Sequence, residues 1–146
     1  MATTEDVTVS DRQQIFDIIL RYFWLVDHGR ADETGAFFAD DAQLTFGPGA
    51  PKPGTIEGAA IPIAMRARAK QTEVTTRHVL SNIILTVRDA NTVEANALLT
   101  LFRSNDEHRG TVPASVADIE DIYVRSGESW KIHRRRILPV FNRVET

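Results

Sequence analysis

The chain has 146 residues, 42% of them hydrophobic and 25% charged, which is the length and make-up of one domain with a single core and excludes a disordered or fibrous chain. Its 17 basic and 20 acidic residues leave a net charge of -3, so the overall field gives no reason to expect nucleic acid as a partner. Without cysteine, disulfides, thiolate catalysis and thiolate-held metals are excluded. Met1 to Ser10 hold two acids and no apolar run, and no stretch approaches the roughly 20 apolar residues of a membrane span. The expectation is a cytoplasmic protein with neither signal peptide nor membrane partner.

Residues 1–10 are polar and read as a flexible N-terminus ahead of a single domain over residues 11–146. Asp11 is placed as an N-cap, and residues 12–27, free of Gly and Pro, read as a helix. Two adjacent stripes run along it, Ile15, Ile19, Tyr22, Val26 and Phe16, Leu20, Phe23, Asp27, at the spacing of a buried helix face. The last member is a carboxylate. In the last turn it opposes the helix dipole by about 0.3–1 kcal/mol, so it needs a compensating partner. Gly29 suits a left-handed cap.

A short second helix over residues 31–39 adds Phe37 and Phe38 to the core, Asp40-Asp41 reads as a turn, and residues 42–46 alternate as a strand. The Gly/Pro-rich loop 47–54 is suited to flank a ligand entrance. A brief strand at 55–57 precedes a helix over 58–70, with Pro62 in its tolerant first turn and Ile61, Ala64, Met65 and Ala69 as its inner face. From Glu73 onward the pattern becomes extended, with strands at 75–88, 92–104, 114–125 and 129–140 joined by connections of hairpin length. Three helices followed by a meander of long strands predict an α+β fold with a curved sheet folded over the helices.

The third of these strand runs, counted from residue 75 as the first, carries the acids Asp118, Glu120 and Asp121; the first carries the chemistry. His78 and Asn82 lie four apart, so regular alternation puts them on one face with Leu80 and Ile84. A carboxylate such as Asp27, bonded to one imidazole nitrogen, would fix the tautomer and free the other nitrogen as a general base. The plainer alternatives are that Asp27 caps its turn and His78 is a satisfied core histidine. Asn82 is a candidate donor to a substrate oxygen, or a group satisfying backbone. The aromatics Tyr22, Phe23 and Trp24 of the first helix, with Leu80 and Ile84, are candidate pocket walls. His133-Arg134-Arg135-Arg136 alternates along the last strand, and its expected role is pairing with Asp118, Glu120 and Asp121 across an antiparallel neighbour, an anionic substrate at Arg135 being the lesser option. The histidines 28, 78, 108 and 133 lack metal-ligand spacing and no phosphate-binding glycine motif occurs, so no metal and no cofactor are expected.

The run Leu25-Val26-Asp27-His28-Gly29-Arg30-Ala31-Asp32, then Phe37-Phe38-Ala39-Asp40-Asp41-Ala42, Gly54-Thr55-Ile56-Glu57-Gly58, Thr76-Arg77-His78 with Ser81-Asn82, and Trp130-Lys131-Ile132 with Arg135-Arg136 resembles the SnoaL-like branch of the nuclear-transport-factor-2-like superfamily. The resemblance implies a cone-shaped barrel, three helices packed into a strongly bent, mostly antiparallel sheet around an apolar pocket. Enzymes of this branch include polyketide cyclases, scytalone dehydratase, steroid-type isomerases and a dehydrochlorinase. Dehydratase and dehydrochlorinase members pair an aspartate at the end of the first helix with a histidine on the first long strand, which correspond here to Asp27 and His78. A second tyrosine and histidine set like that of scytalone dehydratase is absent. The segments at 77–82 and 130–138 also resemble the small β subunits of aromatic-ring-hydroxylating dioxygenases, which implies the alternative of a non-catalytic ligand-binding or assembly subunit. On the first reading the protein is a cofactor-independent lyase or isomerase acting on a hydrophobic, cyclic small molecule. A homodimer or homotrimer is expected on either reading, through an outer sheet face assigned Val79, Ile83 and Leu85.

Overall fold

The computed structural model describes residues 7–105, 110 and 112–143. Helix α1 spans Val9–Asp27. Its N-cap is Thr8, whose hydroxyl accepts the Asp11 N–H at 3.0 Å while the Asp11 carboxylate accepts the Thr8 N–H at 2.9 Å. Asp11 is therefore the third residue of a capping box and not the cap itself. Val7 is buried, and residues 1–6 lie outside the described part. The buried face of α1 is Ile15, Ile18, Ile19, Tyr22, Phe23 and Val26. Leu20 of the second predicted stripe is half exposed, because the stripe drifts around the helix and Ile18 takes the inward place.

The predicted second helix is a 3-10 helix, Ala31–Phe37, after which β1 (Phe38–Phe46) begins four residues earlier than expected. Asp40 and Asp41 thus do not form a turn. They occupy an irregularity in β1, where its pairing with the last strand jumps from Phe38↔Ile132 to Gln43↔Arg134. β2 (Gly54–Glu57), α2 (Ala60–Ala69), β3 (Thr75–Asp89), β4 (Thr92–Ser104), β5 (Ser115–Ser126) and β6 (Ser129–Asn142) complete the chain. Ile61 and Met65 are the buried residues of α2.

The strands form one open six-stranded sheet in the order β2-β1-β6-β5-β4-β3. All neighbours are antiparallel except β1 with β6, which is parallel. Its inner face carries Val93, Ala95, Ala97 and Leu99 of β4, Ala117, Ile119 and Tyr123 of β5, and Trp130 and Ile132 of β6, all buried against the helices. α1 packs against β3 and β6, and the end of α1 meets the start of β3 through Asp27.

Two bulges set which side chains reach the interior. In β3, Asn82 and Ile83 stand opposite the single residue Ala97 of β4, between the pairs Ser81↔Leu98 and Ile84↔Asn96, and Asn82 takes φ 54°, as the extra residue of a bulge does. Alternation flips there, so Leu80, Ile83, Leu85 and Val87 pack on the core while Ile84 is 60% exposed. Ile83 and Leu85 are therefore not on the outer face as expected. In β6 the pairing shifts between Ile122↔Arg134 and Tyr123↔Ile132, which turns Ile132 and Arg135 inward and His133 and Arg134 away.

Candidate active site

Asp27 ends α1 because the chain turns immediately behind it. The Arg30 N–H returns to the Leu25 carbonyl at 2.8 Å, and Gly29 takes φ 77°, where a side chain is disfavoured. The carboxylate then points at β3. One oxygen accepts the backbone N–H of His78 at 2.8 Å; the other accepts the Thr76 hydroxyl at 2.8 Å and lies 2.5 Å from His78 Nδ1. The Asp27 side chain is 5% exposed and that of His78 13%. Burial pushes the Asp27 carboxyl up, but the hydrogen bonds and charge of His78, its backbone N–H and the Thr76 hydroxyl outweigh this and hold it below its ordinary value. The helix-end carboxylate thus has the partner its position demands.

An ionised carboxylate only accepts, so the shared hydrogen sits on Nδ1, and in the neutral form of the ring this tautomer presents Nε2 with a lone pair. Nε2 has no hydrogen-bond partner among the described residues. The Phe23 ring packs on the imidazole with centroids 4.9 Å apart, and it also contacts a second polar group. The guanidinium carbon of Arg135 lies 5.2 Å from the Phe23 centroid and 4.5 Å from that of Tyr22. Arg135 is fully buried. Its Nε and Nη2 donate to the two oxygens of Asp121 at 2.9 and 2.8 Å, and Nη2 lies 3.2 Å from the Tyr123 hydroxyl, which itself donates to Asp121 at 2.8 Å. Burial pushes the guanidinium down, but the Asp121 charge overrides it and raises its affinity for the proton above the ordinary level. Burial and then Asp121 push the Tyr123 hydroxyl well up. Arg135 Nη1 has no hydrogen-bond partner among the described residues although it is buried.

The structure brings together Asp27, His78, Tyr22 and Phe23 of the predicted site and leaves out others. Trp24 is 64% exposed on the outer side of α1, stacked on His28 at 4.1 Å between centroids, because it lies about 100° around the helix from Phe23. Asn82 and Ile84 are exposed, turned outward by the β3 bulge. Leu80 packs against the core. Arg135 pairs with an acid of the neighbouring strand, Asp121, as expected of the arginine run, and Arg136 pairs with Glu120 at 3.2 Å. His133 lies 3.5 Å from Asp41 and faces away from Arg135, contrary to simple alternation. His108 lies outside the described residues. Among those described, no group of three or more His, Cys, Asp or Glu is placed to hold a metal.

A cavity of about 940 Å³ opens beside the pair. Thr76 and Arg77 wall it, as do Gly49 and Pro51 of the Gly/Pro-rich loop. His78 itself is not in that wall; it lies two residues along β3 from Thr76, a step of about 7 Å.

Three helices packed against one open, mixed six-stranded sheet define the class of α+β fold to which the chain belongs. The family model of the SnoaL-like domain matches residues 7–136, and the chain belongs to that family. No curated protein matches it in sequence. Among solved structures it is similar to a scytalone-dehydratase-like protein of Novosphingobium aromaticivorans, at 15% identity and TM-score 0.78, over 97% of this chain and 91% of that one. It is similar to a hexachlorocyclohexane dehydrochlorinase at 19% identity and TM-score 0.74, over 91% and 87% of the two chains. A β subunit assigned to an aromatic-ring-hydroxylating dioxygenase of N. aromaticivorans matches at 19% identity and TM-score 0.76, over 95% and 96%. At these identities the likeness is one of fold.

Proposed function

We propose that the protein is a cofactor-independent lyase or isomerase/cyclase acting on a cyclic, largely apolar small molecule of polyketide, steroid or aromatic type. The observation that carries this reading is the Asp27–His78 bond, which leaves Nε2 of a nearly buried histidine unpartnered. Nε2 takes a proton from a substrate carbon next to an activating or leaving group. The electron pair of that C–H bond forms a double bond, and either the leaving group departs with its own pair or the charge passes into a conjugated carbonyl and is reprotonated elsewhere. Asp27 holds the tautomer and stabilises the imidazolium that forms. Phe23, whose ring lies 4.9 Å from the imidazole between centroids, is the apolar neighbour of the base.

The test is turnover of a panel of cyclic substrates bearing a hydroxyl, halide or carbonyl beside an acidic C–H. Replacing His78 by Ala should lower the rate by about 10²–10⁴-fold with the circular dichroism spectrum unchanged; an undiminished rate removes His78 from the mechanism. The likeness to a dioxygenase β subunit favours a second reading, an assembly subunit without chemistry, which requires stable co-purification with a larger, different chain. Under either reading the exposed apolar residues of the outer sheet face are covered in a homodimer or homotrimer.

A further inference from the structure

The 940 Å³ cavity has an unusual charge. Arg77, Arg103 and Arg143 all line it, and no aspartate or glutamate stands among the described residues of its wall. Among the described residues Arg77 donates only to the carbonyls of Asp27 and Thr76, at 3.3 and 2.7 Å, and Arg143 to that of Val112 at 3.4 Å. Neither they nor Arg103 forms an ion pair with a carboxylate among the described residues. Arg68 adds to the cluster: its guanidinium donates to Thr76 at 3.1 Å. Burial, and then the positive charge of Arg103, lower its pKa against the opposing pull of Asp27 and Glu73. Arg77, Arg103 and Arg143 share one cavity without a carboxylate partner among the described residues, in a chain whose net charge is -3, and so offer donors and positive charge to an anion. The rest of the wall includes Phe102 and Val112, so the space is amphiphilic, and its volume lies within the range of small-molecule sites.

We infer that this cavity binds the oxyanion of an amphiphilic small molecule, a carboxylate or phosphate held by Arg77, Arg103 and Arg143, with an apolar ring lying along Phe102. Resting on the Asp27–His78 reading, this specifies the substrate class as an anionic amphiphile: the cavity meets the pair at Thr76, which is shared between the cavity wall and the Asp27 carboxylate.

Binding of 2-naphthoate, 2-naphthyl phosphate and the neutral 2-naphthalenemethanol to the full chain, measured by calorimetry at low and at high salt, tests the inference. At low salt at least one anion should bind about tenfold more tightly than the alcohol, with the preferred oxyanion naming its source, and about 0.5 M salt should erode that advantage. The Arg103→Ala/Arg143→Ala variant, altered only at exposed positions, should lose the advantage and keep its affinity for the alcohol. Equal affinity for acids and alcohol, or an advantage untouched by that variant, overturns the inference. The readout is binding and not turnover, so it is separable from the fate of the His78 base. Preference for the anion retained in His78→Ala supports the anion site whether or not catalysis is found.

Discussion

A single buried guanidinium organises the interior. Arg135 spends its Nε and Nη2 on Asp121, leans on the rings of Tyr22 and Phe23, and leaves Nη1 free. Burying two charges is tolerable only when each stays paired. Arg135→Met should therefore cost about 3–5 kcal/mol, since it leaves the buried Asp121 carboxylate without its cation, whereas Arg135→Met with Asp121→Leu should recover most of that loss. Urea denaturation of both variants checks it; equal destabilisation of the single and the double variant would show that the cost lies in packing and not in the unpaired charge. The pair was partly readable in advance: Asp121 shares the parity of Ile119 and Tyr123 along β5, and the arginine run was expected to meet these acids. Which arginine turns inward was not readable, because it depends on a bulge near His133. Asp27 was more legible. A carboxylate at the end of an apolar helical stripe needs a partner, and His78 supplies both a backbone and a side-chain donor.

At the level of the element, β3 decides which residues look into the cone. The bulge places Leu80 inward on one side and Ile83, Leu85 and Val87 inward on the other, so strict alternation from His78 fails after Ser81. Nothing local in Ser81-Asn82-Ile83 announces a bulge beyond the tolerance of asparagine for positive φ. That tolerance gives a prediction. Asn82→Gly should be neutral or slightly stabilising, and Asn82→Val should cost about 1–3 kcal/mol through the left-handed strain of a β-branched residue at φ 54°. Thermal unfolding ranks the variants, and a valine variant as stable as the parent would mean that the bulge relocates along β3. The strands themselves were well marked by sequence: β4 begins and ends at Thr92 and Ser104 as expected. Runs of β-formers between short polar connections are local signals, whereas the bulges arise from pairing with neighbours far along the chain.

At the scale of the whole molecule, the part sequence could not supply was the closure of the sheet's far side, where β1 runs parallel to β6 and carries β2 at the edge. A meander of β3 to β6 follows from short connections, but a parallel partner from the N-terminal half is a long-range choice that periodicity does not encode. The sheet that results is open, and its outer face bears on assembly. Val79, Ile84 and Leu98 are exposed at 50%, 60% and 38%, and the register sets Leu98 opposite Ser81, between the rows of Val79 and Ile84. They form one apolar strip across β3 and β4. Replacing Leu98 by Lys places a cation at the centre of that strip without touching the interior, where the neighbouring Ala97 and Leu99 are buried. In sedimentation at micromolar concentration the parent should run as a dimer or trimer and Leu98→Lys as a monomer or a much weaker oligomer, since a desolvated charge without a partner strongly opposes association. A parent that sediments as a monomer, or a lysine variant that assembles as tightly as the parent, would leave this face uncovered in solution and move any assembly to another surface.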